Sequence, residues 1–185
     1  MKTYTNQLPH TPDMSRRNFL ASAAALSGAL LLPARIAWSD KHEFELPPAA
    51  RQALAKSRLV YLSPLRKNGL ESTCHAEVWF AARGDDFYVV TSATAWRNEA
   101  IGKGLDRARV WLGDYGVWKG NDLFKSAPSY VAKSSVVAGG DAAIELSLEA
   151  FGEKYASEWG KWGPRFRNGL QDGSRVMLRY QPVSS

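Results

Sequence analysis

Two β-prone runs separated by four polar residues constrain this chain more than any other feature. Ser72 to Ala82 is rich in Val, Trp and Phe, and Phe87-Tyr88-Val89-Val90-Thr91 is almost wholly apolar. Arg83-Gly84-Asp85-Asp86 between them is turn chemistry, so the pair predicts a β-hairpin. A hairpin alone is marginal in water and needs further strands to bury its apolar face. The chain supplies them at Arg58 to Leu62, Ala108 to Leu112, Ser129 to Val137 and Ser174 to Gln181. Ser63-Pro64 is expected to interrupt the first of these. In the last, Val176, Leu178 and Tyr180 alternate with Arg175, Met177 and Arg179. Helices are expected at Pro48 to Lys56, at Ser92 to Lys103, and at Ala142 to Tyr155 behind an Asp141 N-cap. Trp159, Trp162 and Phe166 follow in a Gly-rich segment that matches no element. The order predicts antiparallel strands with two or three inserted helices, an α+β, mostly β, or small-barrel class.

The N-terminal segment has a different composition. Ser15-Arg16-Arg17-Asn18 leads into Phe19 to Leu32, an unbroken run of 14 Phe, Leu, Ala, Ser and Gly residues. As a helix it rises roughly 21 Å, short of a ~30 Å hydrocarbon core, which suits a signal peptide better than a membrane span. Pro33 closes the run, and Ala37-Trp38-Ser39 offers small residues for cleavage. Residues 1–39 are therefore expected to be a leader, residues 40–56 a linker or N-terminal arm with a short helix, and residues 57–182 the folded domain. Removing the leader takes the basic and acidic residues from 24 and 18 to 20 and 17, and the formal charge from +6 to +3. So small an excess gives no reason to expect a nucleic-acid partner.

Composition excludes much chemistry. With 45% apolar and 23% charged residues the chain is neither disordered nor a multi-span membrane protein. Cys74 stands alone, which rules out an internal disulfide and a cysteine metal cluster. His10, His42 and His75 are too scattered for most histidine-built metal sites, so no metal is expected. Neither a Gly-x-Gly-x-x-Gly after a strand nor a P-loop is present, and no Gly-x-Ser-x-Gly elbow. Cys74-His75 suggests a nucleophile and base, yet neighbouring strand residues point to opposite faces, and a buried small side chain is the plainer reading of Cys74. No catalytic residue is assigned.

One unit does point to a ligand. Thr91-Ser92-Ala93-Thr94 ends a strand, and Trp96-Arg97 opens the expected helix. Hydroxyls, free N–H groups and an arginine in that order can cradle a phosphate. A solvated arginine beside an ordinary cap explains the same residues.

The run Arg66 to Gly116 resembles the pyridoxamine 5′-phosphate oxidase-like superfamily. The resemblance is carried by Val78-Trp79-Phe80-Ala81, Phe87 to Thr91, Ala95-Trp96-Arg97 and Ala108-Arg109-Val110-Trp111-Leu112-Gly113-Asp114. Lys154-Tyr155 and Val176 to Pro182 also look like the close of such domains. The resemblance implies a split β-barrel that binds FMN non-covalently, with haem or F420 as the other ligands of the superfamily. It implies phosphate contacts at Thr91, Ser92 and Arg97, with Trp96 as a wall and Lys103 as a weaker second cation. It further implies a homodimer that shares the flavin site, and a flavin oxidoreductase of unread substrate or a binding protein without turnover. For haem, His75 is the axial candidate. The paired arginines resemble a twin-arginine (Tat) signal, implying the Tat translocase as an export partner, a periplasmic address and no membrane anchor after cleavage.

Overall fold

The computed structural model describes residues 44–184. The leader, His10 and His42 lie outside them. The described chain runs α1 (Pro48–Lys56), β1 (Val60–Pro64), β2 (Ala76–Val78), β3 (Ala81–Arg83), β4 (Asp86–Ser92), α2 (Trp96–Gly102), β5 (Arg107–Leu112), β6 (Ser129–Val136), α3 (Ala142–Lys154), α4 (Ala156–Gln171) and β7 (Arg175–Val183), with a short 3-10 turn at Leu123–Ser126 before β6.

All seven strands form one antiparallel sheet in the order β2-β1-β5-β6-β7-β4-β3. The outermost strands, β2 and β3, are separated in sequence only by Trp79 and Phe80. Three Cα steps span at most about 11 Å, so the sheet has to curl until its edges meet. The fold is a split β-barrel. Inside it Val60, Leu62, Phe80, Phe87, Val89, Val110, Leu112, Tyr130, Leu178 and Tyr180 form one buried core, to which Leu46 and, from α1, Ala50 and Leu54 belong.

The outer face carries two further clusters. Tyr88 and Met177 meet Leu148, Phe151, Tyr155 and Phe166 of the α3–α4 hairpin. On the other side, Tyr61 and Trp111 meet Phe124 and Ala127, with Tyr115 and Trp118 packed against them.

The junction between β2 and β3 is held by one side chain. Tyr155 is fully buried, and its ring stacks on Trp79 at 4.3 Å. Its hydroxyl accepts the Phe80 N–H at 3.0 Å and donates to the Arg58 carbonyl at 2.7 Å. The backbone that leaves one edge of the sheet and enters the other is satisfied by this hydroxyl rather than by a ladder.

The structure corrects the sequence reading in four places. Ser72 to Ala82 is not one strand; it divides at Trp79-Phe80, because β2 pairs with β1 and β3 with β4. Ser63-Pro64 does not interrupt β1, which continues to Pro64 opposite Ala108. Since β2 pairs only with Val60 to Leu62, Pro64 ends the strand where no neighbour on that side needs its N–H. Among the described residues there are four α-helices rather than two or three, because the Gly-rich segment is α4. Glycines of two helices make room for a ring: a Cβ on Gly152 of α3 or Gly163 of α4 would lie 2.9 Å from the Trp159 indole. Finally, α2 begins at Trp96, since Ser92 still belongs to β4.

Tyr155→Phe keeps the ring and removes the hydroxyl, leaving the buried Phe80 N–H without its partner. The expected loss is about 1–3 kcal/mol, read as a lower urea midpoint with an unchanged slope. An unchanged midpoint would show that the junction does not rest on this hydroxyl.

Candidate functional site

Sheet alternation separates the hydroxyl run. Thr91 pairs with Val176 and is buried, whereas Ser92, one step on, is exposed. The Ser92 hydroxyl accepts the Thr94 N–H at 3.3 Å and lies 3.0 Å from the Thr94 hydroxyl, closing a local turn. The chain then enters α2 without a side-chain cap, although Asn98 Nδ2 ties the helix back to the Ala93 carbonyl at 2.8 Å.

From the first turn of α2, Arg97 reaches back and donates from Nη1 to the Thr91 hydroxyl. Burial pulls the guanidinium below its ordinary pKa, with Tyr180 and Glu77 opposing, yet an arginine remains charged. Among the described residues no carboxylate stands within ion-pair distance of it. Arg58, Arg167 and Arg179, by contrast, all have carboxylate partners. Arg97 is thus a half-buried cation whose one hydrogen bond goes to a neutral hydroxyl.

Arg97 and Trp96 line a cleft with Leu62, Pro64, Cys74, His75 and Ala76. Its volume is about 40 Å³, room for a water or two. Trp96, 40% exposed, forms a wall at its mouth. Of the five residues expected to bind a cofactor, Trp96, Arg97 and, through Arg97, Thr91 come together here. Ser92 lies on the other face of β4. Lys103 is past the far end of α2, where it pairs with Glu99 at 3.5 Å and is mostly exposed.

Cys74 and His75 line the cleft too, and they precede β2 instead of lying within a strand. No hydrogen bond joins them; the Cys74 N–H donates to the Ser72 hydroxyl at 3.2 Å. The His75 ring sits among Trp118, Phe124 and Trp111, with centroids at 5.5, 5.7 and 6.1 Å. Its Nε2 is buried without a hydrogen-bond partner. This cage could not be read from the sequence, because Trp118 and Phe124 come from the irregular segment after β5. Among the described residues no group of three His, Cys, Asp or Glu side chains gathers as a metal site would need.

No protein-family model matches the chain, and no curated protein matches it in sequence. Solved structures do match. The crystal structure of HutZ, the haem storage protein from Vibrio cholerae, is 13% identical, with a TM-score of 0.52 over 77% of this chain and 93% of that one. Campylobacter jejuni ChuZ is 12% identical, with a TM-score of 0.50 over 74% of this chain and 54% of that one. A pyridoxamine 5′-phosphate oxidase-type protein from Listeria innocua is 14% identical, with a TM-score of 0.46 over 72% and 90%. The likenesses to HutZ and ChuZ support the fold.

His75→Phe places an apolar ring in a cage of three rings and removes the unpartnered nitrogen. Thermal stability is expected to hold or to rise by about 1–3 kcal/mol. A clear loss would mean that the imidazole has a polar role in the folded chain.

Proposed function

We propose that this chain is a ligand-binding split barrel that takes FMN, with the phosphate at Arg97. The observation that carries the reading is the Arg97 guanidinium, half-buried on a cleft wall and aimed by Thr91, with no carboxylate within ion-pair distance among the described residues. A phosphate there gains a charge-assisted, bidentate partner. The cleft is too small for an isoalloxazine, so the ring would lie outside it against Trp96, on a surface that a second copy of the chain completes. Bound FMN would supply the redox chemistry, and the residues here would hold and orient it. Thr91 fixes the guanidinium, Arg97 binds the anion, and Trp96 offers a flat apolar face. A flavin oxidoreductase, assembled as a homodimer and exported before it acts, is the whole of this proposal.

A second reading is haem binding, the role of the haem storage protein HutZ. One observation favours it here: His75 Nε2 has no hydrogen bond to give up before ligating iron. The same atom is enclosed by Trp118, Trp111 and Phe124, so iron reaches it only if a ring moves. The flavin reading needs no such rearrangement at Arg97.

Arg97→Ala separates the alternatives. A charge-assisted contact contributes on the order of 1.5–3 kcal/mol, so FMN affinity should fall roughly ten- to a hundredfold. Riboflavin, which lacks the phosphate, should lose far less in the same titration. Equal losses for both ligands would indicate a damaged fold, and unchanged FMN affinity would remove Arg97 from the site. Wild-type protein that ignores flavin but gains a Soret band with haem would establish the second reading.

A further inference from the structure

The connection after β1 and the exit from α2 enclose a second cleft, of about 300 Å³, lined by Arg66, Lys67, Asp106 and Arg107 over Leu65 and Leu105. The Leu65 N–H donates to the Arg107 carbonyl at 2.8 Å, which fixes the end of β1 against the start of β5. Arg66 and Lys67 then enter a tight turn. It is closed by the Arg66 N–H on the Leu70 carbonyl at 2.8 Å and by the Gly69 N–H on the Arg66 carbonyl at 2.9 Å. Two hydrogen-bonded segments thus bring three cations to one cleft.

The charge on this lining is not answered within the chain. Among the described residues Arg66, Lys67 and Arg107 have no carboxylate within ion-pair distance. Arg107 donates to the Ser184 carbonyl, a neutral acceptor. Two neighbouring carboxylates are engaged with other cations, Asp106 with Lys133 at 3.8 Å and Glu71 with Arg109 at 3.7 Å. Three cations and one carboxylate leave the lining a formal charge of +2. Free carbonyls at the C-terminus of α2 would repel an anion. Here the Lys103, Gly104 and Leu105 N–H groups cover those of Glu99, Ile101 and Ala100. Gathering like charges around one cleft costs the folded chain through their repulsion, and a bound dianion offsets that cost.

We propose that this cleft is a binding site for small phosphate monoesters. A monoester carries a charge of about −2 at neutral pH, which matches the lining. Its three terminal oxygens accept from several donors at once, and two guanidinium forks suit that geometry. Leu65 and Leu105 offer apolar surface to the organic part. The volume is at the lower end for small-molecule sites, with room for a ligand the size of phenyl phosphate. This site lies beyond the C-terminal end of α2, whereas Trp96 and Arg97 open that helix, and it does not depend on the flavin reading.

The test titrates phenyl phosphate into the nitrogen-15-labelled full chain at low ionic strength, where exposed charges are least screened. The backbone amides of Lys67, Gly69, Gly104 and Leu105 should shift together along one saturable curve. Signals at Trp96 and Arg97 report the other cleft separately, so either site can fail without the other. Arg66→Gln and Arg107→Gln should each weaken the curve about tenfold, while Lys119→Gln, an exposed cation elsewhere, should leave it unchanged. Methyl phenyl phosphate, a diester with a single charge, should also bind about tenfold more weakly. Amides around the cleft that stay still up to the solubility limit of the probe overturn the proposal, as does equal weakening by all three substitutions. Phthalate, a dianion without phosphorus, overturns the phosphate class if it binds as tightly as phenyl phosphate.

Discussion

Everything in this molecule follows from a link of two residues. Trp79 and Phe80 join the strands at opposite ends of a seven-strand sheet, and so short a connection exists only if the sheet closes on itself. The curl brings the two end strands together at this link and creates an inside. Phe80 turns into that inside, against Phe87 at 5.8 Å, while Trp79 turns out and stacks on Tyr155. The Tyr155 hydroxyl satisfies the link's backbone and ties it to Arg58. The α3–α4 hairpin is thus more than a cover on one face of the sheet, since it delivers the group that secures the closure.

The same closure makes the cleft. Leu62 and Pro64 come from β1, Cys74, His75 and Ala76 from the approach to β2, and Trp96 and Arg97 from α2. Thr91 aims Arg97 from the inner face of β4. A phosphate-binding role for Arg97 therefore depends on tertiary structure at each point, although its strongest contact within the chain is only six residues away.

Local signals were the legible ones. Pro48–Lys56 and the Gly84-Asp85 hairpin stand as periodicity and turn chemistry predict, and Asp141 caps α3 by accepting the Ala143 N–H at 2.8 Å. What periodicity could not reveal was partner exchange: Ser72 to Ala82 is uniformly β-prone, and nothing local tells that its halves pair with different strands. The glycines of α4 misled for a steric reason, because Gly163, with Gly152 of α3, accommodates Trp159 rather than breaking a helix. At the site, the split between Thr91 and Ser92 was readable, since adjacent strand residues face opposite ways. The cage around His75 was not, as it depends on side chains brought from distant segments.

The claim on which the functional reading rests is that the half-buried Arg97 is an anion site for a phosphate. Phosphorus-31 NMR of FMN addresses it directly, because the nucleus observed is the one that should touch the guanidinium. Titrating the protein into FMN should shift and broaden the phosphorus resonance, and labelled Arg97 side-chain N–H signals should move in step with it. A phosphorus signal that stays sharp and unshifted at saturating protein would contradict the account, as would a shift that leaves the Arg97 signals in place.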